Sequence, residues 1–386
     1  MNARAYLDWN ATAPLRPQAR AAALAALDQG GNPSSIHAEG RAARHMLETA
    51  REQVAALVGA DAGDVIFTSG ATEANALALS PSWSRGGREA PFERLLVSAV
   101  EHASVAEGGR FGRDRIAVIP VDGQGVVDRD ALRRMVAGTP ALVSVMLANN
   151  ETGVIQPVSE VAAIVHEAGG LMHVDAVQAP GRIAIDFNEL GADLLTLSAH
   201  KIGGPKGAGA LIRRTGLHLP DPLIRGGGQE RGARGGTENV AGIAGFGAAA
   251  AEISAQLDQE RAHLKRLQDR LEAGLRAATP DVIIFGDQAE RLPNTTCFTH
   301  PGLRAETAVI GFDLAGVAVS SGAACSSGKV QPSRVLAAMG VELSLAQGAI
   351  RVSSGYSTKE AELEILLSAW TKLSESLLKG RKSIAA

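Results

Sequence analysis

Ser198, His200 and Lys201 close the largely apolar run 192–197 and stand just ahead of the loop Ile202-Gly203-Gly204-Pro205-Lys206-Gly207. Such a run reads as a short buried strand, and a strand that delivers Ser-x-His-Lys to a glycine-rich turn is how an open α/β sheet presents chemistry. Lys201 is then fixed at a strand end, with a hydroxyl three residues before it and glycines after it that let a ligand approach the backbone. That setting suits covalent capture of an aldehyde cofactor as a Schiff base. A solvated polar loop would carry the same residues, so the decision rests on what other elements bring to the place.

Several elements bring something. Pro17 starts an alanine-rich helix that Gly30-Gly31 stops, and Asn32-Pro33-Ser34-Ser35-Ile36-His37 opens a long amphipathic helix that ends near Gly59. A strand at 65–67 runs into the small-residue turn Thr68-Ser69-Gly70-Ala71-Thr72-Glu73 and a helix to Leu79. The free N–H groups of such a turn make it a candidate phosphate site, although a simple N-cap would look the same. Further strands are expected near 95–99, 116–121, 142–147, 171–174, 194–197 and 210–212, with helices near 129–136 and 158–168. The alternation predicts a mostly parallel sheet covered by helices on both faces. Polar residues follow several of these strands: Glu101-His102, Asn149-Asn150-Glu151, Asp175 with Gln178, and Ser198 to Lys201. Ligands of open sheets bind beyond the carboxyl ends of strands, so these groups are expected to converge on one pocket. A glycine-heavy basic loop, Arg225 to Asn239, leads to a long helical region reaching about Ala278, and a smaller α/β unit follows. The expected division is a large cofactor-binding domain over 14–257 and a small domain formed by 1–13 and 258–386.

Composition narrows the classes of function. A net charge of -3 over 386 residues supplies no basic field for nucleic acid, and 3% aromatic residues leave few stacking platforms for single strands. Two cysteines, Cys297 and Cys325, form neither a disulfide framework nor a zinc pattern, so no metal is expected and a reducing cytoplasm is. The N-terminus has no apolar signal region, and the apolar stretch at 240–251 is read as too short and too glycine-broken to span a membrane.

Within the expected pocket, Asp175 can pair with a pyridinium nitrogen and Gln178 can donate to a ring oxygen. His102 can cover the ring or move protons, while Thr72, Ser198 and His200 can hold a phosphate. With these residues in place the chain resembles the cysteine desulfurases, fold-type I pyridoxal-phosphate enzymes that take sulfur from L-cysteine and leave L-alanine. The resemblance runs nearly end to end, through Asn32-Pro33-Ser34-Ser35, Ser69-Gly70-Ala71-Thr72-Glu73, Glu101-His102, Asn149-Asn150-Glu151-Thr152-Gly153, Asp175-Ala176-Val177-Gln178, Ser198-Ala199-His200-Lys201, Gly226-Gly227-Gly228-Gln229-Glu230 and Gly236-Thr237-Glu238-Asn239. It implies Lys201 as the Schiff-base lysine, Asp175 on the pyridine nitrogen, and Asn150 and Gln178 near the ring hydroxyl. It further implies a phosphate held by Ala71, Thr72, Ser198 and His200, with Thr237 reaching in from the second subunit of a homodimer. Arg351 matches the arginine that grips the substrate carboxylate, a task its planar fork suits.

Cys325 lies at the centre of the small-residue loop Ser320-Ser321-Gly322-Ala323-Ala324-Cys325-Ser326-Ser327-Gly328, which suits a thiol that must move. The segment is similar to the longer-looped branch of the family, which implies Cys325 as the persulfide carrier. A phosphate-binding P-loop does not fit, because Gly322 and Gly328 are one residue too far apart and Val330 stands where Ser or Thr is needed. Cys297 is expected to be an inert buried thiol. The chain departs from the family at Ala13, where threonine is common, and in its short basic end, Lys379-Gly380-Arg381-Lys382. The family implies a sulfur-acceptor protein, with an iron–sulfur scaffold, a tRNA-modifying enzyme and a thiamine-pathway protein as the candidates. A selenocysteine lyase or an aminotransferase on the same scaffold is the nearest alternative activity, and a non-catalytic scaffold the remote one.

Overall fold

The computed structural model describes residues 4–85, 91–219, 221–322, 325–326, 329–330 and 333–384, with side chains in all of these except 325–326, 329–330 and 376–384. Its centre is a seven-stranded sheet with the order Val65–Thr68, Gly209–Arg213, Leu194–Ser198, Leu171–Asp175, Leu142–Ser144, Leu95–Ser98, Ile116–Ile119. Five neighbouring strands are parallel, and Gly209–Arg213 runs antiparallel to both of its neighbours. Because side chains alternate across a strand, the apolar runs feed two cores at once. Phe67, Leu96, Val143 and Leu195 enter one core, while Ile66, Leu95, Leu142 and Leu194 enter the core on the opposite face.

The helix Val240–Ala278 joins this body to a second one. Ile243, Phe246, Ala250 and Ile253, at helical spacing, belong to the main core, while Leu267, Leu271 and Leu275 pack into a separate core around Phe298, Phe312 and Trp370. At 39 residues this helix is long and apolar enough to cross a membrane by length and composition, contrary to the reading that stopped at residue 251. In the fold its apolar stripe is spent on the two protein cores. The second body carries an antiparallel sheet ordered Ile283–Ile284, Thr295–Thr299, Ile350–Ser353, Ser320–Ser321. The chain's beginning joins it: Ala5–Tyr6 pairs with Val317–Ala318, and Asp8 bridges to Ser353.

From there the N-terminal segment crosses to the large body and grips the loop that follows Ser198. Ala13 N donates to His200 O at 2.9 Å, Arg16 N to Gly203 O at 2.8 Å and Arg16 Nε to Ile202 O at 3.0 Å. The Arg16 guanidinium is itself held by a two-pronged bond to Glu260, at 2.7 and 2.8 Å, with both residues buried. A buried guanidinium whose partner is removed keeps its desolvation cost without compensation. Glu260→Ala is therefore expected to lower stability by about 3–5 kcal/mol in chemical denaturation. A loss under about 1 kcal/mol would show that the pair does not fasten the loop.

Candidate active site

A cavity of about 1030 Å³ opens at the carboxyl ends of the parallel strands, where the two bodies meet. Lys201 ends the short 3-10 turn Ala199–Lys201 that follows the strand Leu194–Ser198. Its Nζ donates to the carbonyls of Asn10, at 2.5 Å, and Ala11, at 3.0 Å. Burial, followed by the positive charges of Arg351 and Arg182, pulls the amine down to about 8. A lysine so placed gives up its proton far more readily than a solvated one, which a nucleophilic amine requires.

Around this amine the strand ends deliver the other groups. Asp175 ends its strand with both carboxylate oxygens engaged, Oδ2 accepting from Asn75 Nδ2 at 2.9 Å and Oδ1 from Val177 N at 3.1 Å. Asn75 also donates to Ser104 Oγ at 2.8 Å, and that hydroxyl lies 2.8 Å from His102 Nδ1. Because His102 Nδ1 also accepts from Ser104 N, at 3.2 Å, the proton of the neutral ring resides on Nε2. Partial burial and the neighbouring Lys201 charge hold that ring below the usual histidine range, against the opposing pull of Asp175. His200 bonds Thr12 Oγ1 at 3.2 Å through Nδ1, and burial first, then Lys201 and Lys206, lower it to about 4, so it is neutral.

The anion-holding groups cluster at one end. The helix Ala71–Ala78 makes its first intrahelical bond from Ala74 N to Gly70 O, 3.0 Å, which leaves the N–H groups of Ala71 and Thr72 without helical partners. Gly209 lets the antiparallel strand pass beneath this turn, since a Cβ there would lie 2.6 Å from the Gly70 carbonyl carbon. Ser198 Oγ is buried and has no hydrogen-bond partner among the described residues. At the other end of the cavity Arg351, in Ile350–Ser353, donates from Nη2 to Asp8 Oδ1 at 2.8 Å and from Nη1 to Asn150 O at 3.0 Å.

The structure thus brings Ala71, Thr72, His102, Asn150, Asp175, Gln178, Ser198, His200, Lys201 and Arg351 to one cavity wall. Thr237 is exposed and lies off this wall. Cys325 belongs to a short hairpin in which Cys325–Ser326 pairs with Lys329–Val330, but its side chain, and the expected mobility of the loop around it, lie outside the described residues. Ser320, Ser321 and Gly322, which lead into that segment, line the cavity. Cys297 is fully buried in Thr295–Thr299, with its thiol pushed up by burial.

Sequence reasoning missed the segment Asp8 to Thr12, which touches Arg351, Lys201 and His200. Its signal was a polar Asp-Trp-Asn directly after a short strand, but nothing local says that it closes a pocket built some 190 residues later in the chain. Glu101 was expected near the pocket with His102. Instead it is buried beneath it, where Oε1 accepts from Ser98 Oγ and from Met146 N, each at 2.7 Å.

The family model of class-V aminotransferases matches residues 5–366. A cysteine desulfurase of Cereibacter sphaeroides is 45% identical over 376 residues, covering 94% of this chain and 94% of that protein. Cysteine desulfurase IscS of Dictyoglomus turgidum is 40% identical over 384 residues, covering 98% and 96%. Among solved structures, a NifS-like protein of Rickettsia africae superposes with a TM-score of 0.87 at 36% identity, covering 97% of this chain and 100% of that one. The chain belongs to the class-V aminotransferase family, with the fold-type I architecture of pyridoxal-phosphate enzymes. Within that family it stands among the cysteine desulfurases.

The residues present suit the cofactor of that class. Pyridoxal phosphate needs an amine that gives up its proton readily for its aldehyde, a carboxylate for its ring nitrogen and donors for its phosphate. Lys201, Asp175 and the Ala71–Thr72 turn with the unpaired Ser198 hydroxyl supply these in one cavity.

Glu101 yields a test of the wall beneath that cavity. Burial first, then the Asp175 charge, pushes its carboxyl up to about 8. Unfolded glutamate titrates at about 4.3, so between there and 8 the native state holds a proton that the unfolded chain has released. This contribution to stability is complete below the unfolded value and is lost as pH rises towards 8. Denaturation of Glu101→Gln at a series of pH values is expected to show a flatter decline from pH 5 to 8 than the wild type. Parallel declines would place the titration elsewhere.

Proposed function

We infer that the protein is a pyridoxal-phosphate-dependent cysteine desulfurase, which converts L-cysteine to L-alanine and retains the sulfur for transfer. The single observation that carries this reading is the convergence of a buried lysine of lowered basicity, a buried aspartate and an arginine fork on one cavity from whose wall the Cys325 segment departs. Bound pyridoxal phosphate supplies an electron sink for the substrate's Cα and Cβ bonds. Asp175 would hold the ring nitrogen and favour its protonated form, with Asn75 donating to the carboxylate. Gln178 and Asn150 line the cavity and would meet the ring hydroxyl, and Ala71, Thr72, Ser198 and His200, which line it too, would hold the phosphate. Arg351 receives the substrate carboxylate, pre-oriented by Asp8 and the Asn150 carbonyl. Lys201, once free, moves the proton at Cα, and His102 exchanges protons at sulfur through Nε2.

Cys325 thiolate then attacks the substrate sulfur. An S–S bond forms, the C–S bond breaks, and its electron pair stays with the carbon skeleton, which takes up protons and leaves as L-alanine. In sum, cysteine and a thiol become alanine and a persulfide, with no external oxidant or reductant. The site is proposed to be completed in a homodimer, where Thr237, exposed and away from its own cavity, reaches the partner's phosphate. A fully active monomer would reject that arrangement. A sulfur-acceptor protein, with an iron–sulfur scaffold among the candidates, is proposed to discharge the persulfide.

Cys325→Ala tests the reading. The variant is expected to keep the yellow colour of the loaded cofactor and to bind L-cysteine, yet to lose alanine and protein-bound sulfane sulfur by roughly a hundredfold or more. Undiminished alanine production would defeat the persulfide route. A selenocysteine lyase would retain selenium release after this change, and an aminotransferase would be indifferent to it.

A further inference from the structure

Arg182 is 5% exposed, and among the described residues no carboxylate lies within ion-pair distance of it. Its Nη1 donates to the backbone and the side chain of Gln178, the latter at 2.7 Å. Guanidinium has donors only, so the Gln178 atom facing it is the oxygen, and the amide nitrogen points instead to Asn10 O, 3.1 Å away. Burying an unpaired cation is costly, and a fold that retains one at its active site invites a functional explanation. Arg182 and Lys201 line a small cavity of about 20 Å³ behind the main one.

The other charges around Lys201 are largely matched. Asp8 is tied to Arg351 at 2.8 Å, and Arg16 is tied to Glu260. His102 and His200 are held towards their neutral forms, and Lys206 lies beyond His200. Asp175 attracts a protonated Lys201, while Arg182 and Arg351 repel it. Of the two repelling cations, only Arg182 lacks a carboxylate of its own among the described residues.

We propose that Arg182 is a positioning residue for the catalytic lysine: its buried charge, anchored on Gln178 and without a carboxylate partner among the described residues, faces the small cavity it shares with Lys201 and repels a protonated amine there. The inference deepens the function proposed above. Its readout needs no turnover, so failure of one is distinguishable from failure of the other.

The test uses the cofactor-free full chain. Lys201 is acylated by acetic anhydride at graded pH, and the modified peptide is quantified by mass spectrometry. The wild-type midpoint is expected near 8. Arg182→Met, of similar length but uncharged, is expected to raise that midpoint by roughly half to one unit, while Lys206 titrates as before. Removing a buried cation that has no carboxylate partner also removes its desolvation cost, so the variant should fold. If it does not, Arg182→Gln carries the same expectation. An unchanged Lys201 midpoint in a folded variant, or an equal shift at Lys206, would overturn the proposal.

Discussion

An amine kept out of water at the end of a β-strand is the constraint on which the rest of the structure depends. Left in solvent, Lys201 would hold its proton up to about pH 10 and make a poor nucleophile. Seating it against the Asn10 and Ala11 carbonyls satisfies its donors, and burial with nearby guanidinium groups weakens its hold on a proton. That seat takes three pieces distant in sequence: the N-terminal segment, the turn after the inner strand Leu194–Ser198 and the strand carrying Arg351. The large core fixes Leu194–Ser198, and the Arg16–Glu260 pair fastens the loop after it.

Charge is divided across the cavity in a way that serves the reaction. At one end, backbone N–H groups, a hydroxyl and a neutral His200 face where a dianion would sit. At the other, Arg351 is oriented by Asp8 without being sealed off, since it still lines the cavity. Between them the Asn75 amide joins Asp175 to the Ser104–His102 pair, so the group that steadies the ring and the group that moves protons share one hydrogen-bond network. Glu151 extends the frame towards the carrier segment, because its Oε2 accepts from Ser333 Oγ at 2.5 Å, just beyond the hairpin that holds Cys325.

Much of this was legible in the sequence, for a physical reason. Strand-end chemistry announces itself as polar residues after an apolar run, and His102, Asn150, Asp175, Ser198 and Lys201 all lie at such places. The sheet was legible too, because strands buried on both faces read as continuous apolar runs. The strand expected to reach residue 147 stops at Ser144, since the residues after it turn towards Glu101 and the cavity. Contacts that depend on tertiary closure were not legible. Asp8 and Asn10 act on groups hundreds of residues away, and Arg182 looks like any loop arginine until its burial is seen. Helix Val240–Ala278 was legible in extent, and only the reach of its apolar stretch was underestimated; its glycines serve close helix packing, since a Cβ on Gly247 would lie 2.5 Å from Ala50 Cα.

The claim that Lys201 is the cofactor's anchor can be tested directly by borohydride reduction of the protein loaded with pyridoxal phosphate, followed by proteolysis and mass mapping. The account predicts a pyridoxyl-phosphate adduct on the Lys201 peptide and on no other lysine. An adduct on Lys206 or a surface lysine, with Lys201 unmodified, would contradict it.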